Sequence, residues 1–117
     1  MQPATARAER IARNDATFRD ANERIDEVAK SVDDYEDTLL PFLCECADLR
    51  CTEIVRLTGE EYEEVRREPT WFLTVPGHEE DEATRVIDEN DRYAVVVKLG
   101  AAADVAAKLD RRTSSSL

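Results

Sequence analysis

The sequence has little of what most enzymes and membrane proteins require. It contains one histidine and three glycines among 117 residues, and it has neither a glycine-rich phosphate loop nor a serine–histidine–aspartate set. No apolar run approaches the ~20 residues that a membrane-spanning helix needs. The N-terminus lacks the apolar core of a signal peptide, so we expect a cytoplasmic location and no contact with membranes.

Basic charge and aromatic residues are also scarce. The 27 acidic residues outnumber the 16 basic ones and give a net charge of −11. Nucleic-acid binding depends on neutralising phosphates with a basic surface, so a nucleic-acid partner is not expected. Only 6% of the residues are aromatic, whereas 37% are charged. A chain of this size with so modest a core would gain stability from a bound metal.

The residues that can bind a metal, by contrast, are clustered. They are Cys44, Cys46, Cys51 and His78. Residues two apart in a strand share a face, so the first two cysteines point the same way, and a short turn returns the third towards them. The histidine follows a Pro-Gly turn. Three thiolates and one imidazole are typical of a closed tetrahedral Zn²⁺ site, which is the cofactor that we predict.

Other chemistries use the same residues. Three cysteines and one histidine hold the iron–sulfur cluster of the CDGSH family, but its C-D-G-S-x-H segment is absent here. Three free thiols beside an unrelated histidine are a further alternative. A metal with four protein ligands has no open position, so we expect no catalytic residue. The enzymatic alternative is a three-thiolate zinc with Glu45 as the nearest carboxylate. The free ring nitrogen of His78 is expected to contact Glu79 or Glu80.

The pattern of apolar residues predicts an α+β fold. It indicates a long N-terminal helix, a small antiparallel sheet of about five strands, one helix between strands 2 and 3, and a zinc-knuckle-like hairpin. A capping box at Thr58 and Glu61 marks the start of the second helix. We divide the chain into a projecting helical arm over residues 1–14, a single α+β domain with the Cys3His site over residues 15–100, and a short helix with a disordered tail over residues 101–117.

The N-terminal helix carries a heptad pattern. Apolar residues recur every seven positions, at Ala4, Ile11, Phe18, Ile25 and Val32. A seam of this kind is typical of helices that pair in a coiled coil, so it predicts a homodimer through residues 4–32. The alternative is a single amphipathic helix that covers its own sheet.

The motifs F-L-C-E-C-x4-C, E-Y-E-x-V-R, P-G-H and Y-A-V-V-V-K lie between Phe42 and Lys98. This pattern resembles a group of small uncharacterised bacterial proteins without an established activity. The resemblance implies that residues 14–98 form one unit, and it adds no function. From the residues themselves we predict a non-enzymatic, zinc-stabilised interaction or regulatory module with a protein partner. The alternatives are a thiol-based redox or metal sensor that uses the three cysteines, and an enzyme with an open-site zinc.

Overall fold

The computed structural model describes residues 3–46, 48, 50–78 and 83–114. The elements are α1 (Pro3–Ala29), β1 (Leu39–Leu43), β2 (Ile54–Thr58), α2 (Gly59–Val65), β3 (Trp71–Thr74), β4 (Thr84–Glu89), β5 (Ala94–Lys98), α3 (Gly100–Lys108) and α4 (Arg111–Ser114). The predicted α+β class, the long first helix and the helix between strands 2 and 3 are confirmed. Within these ranges no helix combines the length and apolar character needed to cross a membrane.

The five strands divide between two antiparallel sheets, where the sequence had suggested one. Strands β1 and β2 form a hairpin in which Leu39 lies opposite Thr58. The other sheet has the order β3-β5-β4, with β5 in the centre. Four of the five β5 residues are buried, as expected for a valine-rich central strand. The hairpin is therefore a separate sheet, and its buried Phe42 shares one hydrophobic core with Leu73 and Val95 of the three-stranded sheet.

Helix α2 begins as its sequence predicts. The Thr58 hydroxyl accepts the Glu61 N–H at 3.2 Å, and the Glu61 carboxylate accepts the Thr58 N–H at 2.9 Å. Gly59 follows the cap, and a Cβ atom at this position would lie 2.4 Å from the ring of Tyr35. The ring of Tyr35 thus packs directly on the backbone at the start of α2.

The buried face of α1 is largely polar. Arg19 is fully buried, donates to the carbonyl oxygens of Pro69 at 2.6 Å and Ala106 at 2.8 Å, and lies over the Phe72 ring. Val28, which falls at the intermediate position of the heptad three residues after Ile25, has an exposed fraction of 74%. The predicted apolar seam is therefore only partly covered. Hydrogen bonds from polar side chains, rather than the heptad seam, set the rotation of this helix.

The C-terminal segment joins the same polar network. Arg112 donates to Glu23 at 2.6 Å and to Glu63 at 2.8 Å, so it links α4 to α1 and α2. Residues 111–114 form a helix, and residues 115–117 lie outside the described residues. Ala12, in the predicted arm, is fully buried, and α1 packs along α3. The division into arm, domain and tail stays a prediction.

Candidate metal centre

The chain crosses between the two sheets immediately after β1. The Cys44 N–H donates to the Glu53 carbonyl at 3.2 Å, on the hairpin side. The next amide, that of Glu45, donates to the Leu73 carbonyl at 2.7 Å, in β3. Successive amides of an extended chain point to opposite sides, so this short segment bonds to both sheets. The C-E-C motif therefore lies where the sheets meet.

A turn after this segment brings the third cysteine back. The Cys51 N–H donates to the Asp48 carbonyl at 3.0 Å, and the Arg50 N–H donates to the Asp48 carboxylate at 2.9 Å. An aspartate whose side chain accepts the backbone N–H two residues later in the chain favours a tight turn. Residues 47 and 49, which belong to the predicted turn, lie outside the described residues. Cys51 is half-buried, whereas Cys44 and Cys46 are buried.

A second turn positions the histidine beyond the end of β3. The His78 N–H donates to the Val75 carbonyl at 3.0 Å. Between them, Gly77 has a φ of 90°, a left-handed conformation that favours glycine. Proline followed by such a glycine is typical of a type II turn. The Pro76–Gly77 pair thus holds the imidazole at a fixed place beside the hairpin.

The structure brings all four predicted residues together. One ligand atom from each of Cys44, Cys46, Cys51 and His78 lies within 4.8 Å of the others, close enough to hold a metal ion. The His78 Nδ1 atom is 3.5 Å from the Cys44 sulfur and 3.7 Å from the Cys51 sulfur. A tetrahedral zinc with Zn–S bonds of about 2.3 Å and Zn–N bonds of about 2.0 Å places such atoms about 3.5 Å apart. The two distances from the imidazole to the sulfurs match this spacing.

The electrostatics of the cluster couple metal binding to proton release. Burial raises the pKa values of the Cys44 and Cys46 thiols above their ordinary value. Backbone N–H groups oppose this rise; the Val75 N–H, for example, donates to the Cys44 sulfur at 3.3 Å. At neutral pH these thiols are protonated without a cation. A metal ion must therefore displace their protons as it binds.

Glu45, between two of the cysteines, does not act as a free carboxylate. It is buried and accepts the Leu73 N–H at 2.9 Å and the Asn22 side-chain amide at 2.7 Å. Burial raises its pKa to about 7. Asn22 also bonds to the backbone of Leu43, so one polar side chain of α1 braces the segment that carries the cysteines. Sequence reasoning missed Asn22, because an asparagine within a charged helix reads as a surface residue.

One further sequence prediction lies outside the described residues. Glu79 and Glu80, proposed as acceptors for the free imidazole nitrogen, belong to residues 79–82, which are not described.

Comparison of the chain with models of known protein families, with curated proteins and with solved structures found no match. The resemblance to small bacterial proteins therefore stays a prediction.

Proposed function

We propose that the protein is a non-enzymatic, zinc-stabilised interaction or regulatory module. The observation that carries this proposal is the convergence of three thiols and one imidazole at the junction of the two sheets. An ion held there ties the β1–β2 hairpin to the turn that follows β3. Structural zinc sites characteristically have four protein ligands of these types, and they contribute directly to folding stability.

The surroundings of the site favour a structural over a catalytic metal. Four protein ligands leave no coordination position for water or substrate. Glu45, the carboxylate that the enzymatic alternative requires, has its two oxygens engaged by Asn22 and by the Leu73 amide. The chain has no second histidine to serve as a general base.

A groove on the three-stranded sheet supports the proposed protein partner. Its volume is about 550 Å³, and its apolar lining includes Trp71, Ile87 and Val97, with Glu64 and Asp88 among its polar residues. Aromatic and aliphatic side chains in a concave surface are typical of binding sites. A partner segment that combines apolar with basic side chains would match this lining.

The test of the metal is native mass spectrometry of the purified chain in a reducing buffer. We expect one zinc per chain, and the same spectrum reports whether two chains associate through residues 4–32. Replacing zinc by Co²⁺ should give the visible absorption of tetrahedral thiolate coordination. Calorimetric titration of the apoprotein in buffers of different ionisation enthalpy should show proton release on zinc binding.

A matched variant sharpens this test. Cys44→Ser/Cys46→Ser removes two ligands and should abolish the cobalt spectrum, whereas Cys51→Ser should distort it. The absorption spectrum of an iron–sulfur cluster in the native protein would show that the cofactor is this cluster and not zinc. A metal-free protein that binds neither Zn²⁺ nor Co²⁺ stoichiometrically would reject the proposal.

The exposure of Cys51 favours a second candidate function, a thiol-based sensor. Cys51 is half-buried, so peroxide can reach its sulfur while the other two cysteines are buried. Oxidation of two zinc-bound thiolates to a disulfide, with reduction of the peroxide to water, would release the metal. Rapid zinc release under mild peroxide, detected with a chromogenic chelator, supports this function. Release only on the timescale of unfolding excludes it.

A further inference from the structure

A cavity of about 510 Å³ lies directly beside the metal centre. Cys46 and His78 line it on the side of the cluster, and Arg7 and Arg10 of α1 line it on another. Lys98, at the end of β5, also lines the cavity and is almost fully buried. A cavity of this size matches the sites that hold small-molecule ligands, which range from about 300 to 1,000 Å³.

The cationic groups of this cavity are of two kinds. Lys98 is paired with Asp15, which also lines the cavity. Arg50 is likewise paired with Asp48 of the lining. In the part of the chain that the structure describes, the other two, Arg7 and Arg10, are exposed and form no ion pair. In a protein with a net charge of −11, two unneutralised guanidinium groups that line one cavity mark a local site for negative charge.

Two hydrogen-bond donors of the cavity wall are also available. His78 directs its Nδ1 atom to the cysteines, which leaves Nε2 as the other ring nitrogen, and this atom has no acceptor among the described residues. Histidines that bind a metal through one nitrogen usually donate the other N–H to an acceptor. The Thr74 side chain, which is 2% exposed, lines the same cavity, and its hydroxyl has no partner among the described residues.

We propose that this cavity binds a small molecule through a phosphate or carboxylate group. Arg7 and Arg10 supply charge-assisted hydrogen bonds to the anion, and the Nε2–H of His78 and the Thr74 hydroxyl supply neutral ones. The proposal rests on the proposed function in one respect: zinc on Nδ1 fixes the ring tautomer that places the proton on Nε2. The bound anion would then contact His78, which also binds the metal, so anion binding would affect the metal centre.

The experiment titrates the zinc-loaded full chain with inorganic phosphate and, separately, with succinate. Because the chain has one histidine, its ring signals in ¹H–¹⁵N NMR spectra are unambiguous. We expect a saturable shift of the Nε2 signal by at least one of the two probes, with a dissociation constant on the order of 1 mM. The probe that binds identifies the anionic group.

Matched double variants distinguish specific anion binding in the cavity from non-specific attraction by positive charge. Arg7→Gln/Arg10→Gln should weaken binding by about tenfold or more, because it removes the guanidinium donors. Arg13→Gln/Arg24→Gln removes the same charge from exposed positions of α1 outside the cavity and should leave the affinity within about twofold. Arg7→Lys/Arg10→Lys should restore part of the binding.

Three outcomes overturn the proposal: no saturable shift with either probe, equal weakening by the two glutamine double variants, or shifts confined to residues away from Thr74 and His78. Zinc content is measured on every sample. One zinc per chain with no anion binding rejects the anion site alone. Arginine-dependent anion binding by a chain without zinc supports the anion site and rejects the metal centre.

Discussion

Removal of the metal should lower the thermal stability of the protein strongly. The Cys44 and His78 ligands are 34 positions apart, so the ion closes a loop of this length. By analogy with a disulfide, closing such a loop removes unfolded-state entropy worth about 4 kcal/mol. For a domain of about 100 residues each kcal/mol shifts the melting temperature by ~4–8 °C. We therefore expect a decrease of roughly 15–30 °C when a strong chelator extracts the zinc, measured by differential scanning calorimetry.

Elemental analysis must accompany each calorimetric scan. The Cys44→Ser/Cys46→Ser variant serves as the control, because it should melt near the chelated wild type and should not respond to chelator. A melting temperature that changes by less than about 3 °C, in a sample shown to have lost its zinc, would refute the reasoning. The ion would then occupy a surface cluster without joining separate parts of the fold.

Three further predictions concern residues outside the cluster. Gly59→Ala should destabilise the protein by about 1–3 kcal/mol in urea unfolding, because the new Cβ meets the Tyr35 ring. The stabilisation of ~1 kcal/mol usual for this change in a helix would contradict the packing. Arg19→Met should cost about 2–5 kcal/mol in the same assay, since it leaves one buried and one partly buried carbonyl acceptor unpaired at ~1–3 kcal/mol each; a cost below about 1 kcal/mol would reject its role. Although burial opposes it, the hydrogen bond from Arg112 lowers the pKa of Glu63 to about 2. Its stabilisation is thus present above its ordinary pKa of 4.5 and lost as the pH falls towards 2. The stability difference between wild type and Glu63→Gln should shrink between about pH 5 and pH 2, and a constant difference would exclude this linkage.

Local signals in the sequence were sufficient for most secondary structure and for the cluster. The capping box at Thr58 and the Pro76–Gly77 turn act over a few residues, and each is present in the structure. The proximity of the cysteines follows from strand alternation and one short turn. These features depend on neighbouring residues, so a single sequence contains the information that they require.

Features that depend on distant partners could not be predicted. The heptad pattern predicted a homodimer through residues 4–32, with a helix that covers its own sheet as the alternative. It gave no sign that the buried face of α1 includes Asn22, which pairs with Glu45. The place where the two sheets meet depends on the Glu45 amide, which bonds to the Leu73 carbonyl of β3. Nothing near either residue in the sequence identifies its partner. A polar side chain is expected to face solvent unless its buried hydrogen-bond partners are known.

The position of Arg112 has a consequence for biosynthesis. Its partner Glu23 precedes it by 89 residues, and Asp26 on the same helix is also within reach of its guanidinium group. Until the ribosome has synthesised Arg112, Glu23 and Asp26 have, among the described residues, only the earlier basic partners Arg66 and Lys30. We expect this helix to reach its final packing only after Arg112 has been synthesised. A fusion partner appended immediately behind Arg112 would delay or block that step, whereas one at the opposite terminus would not.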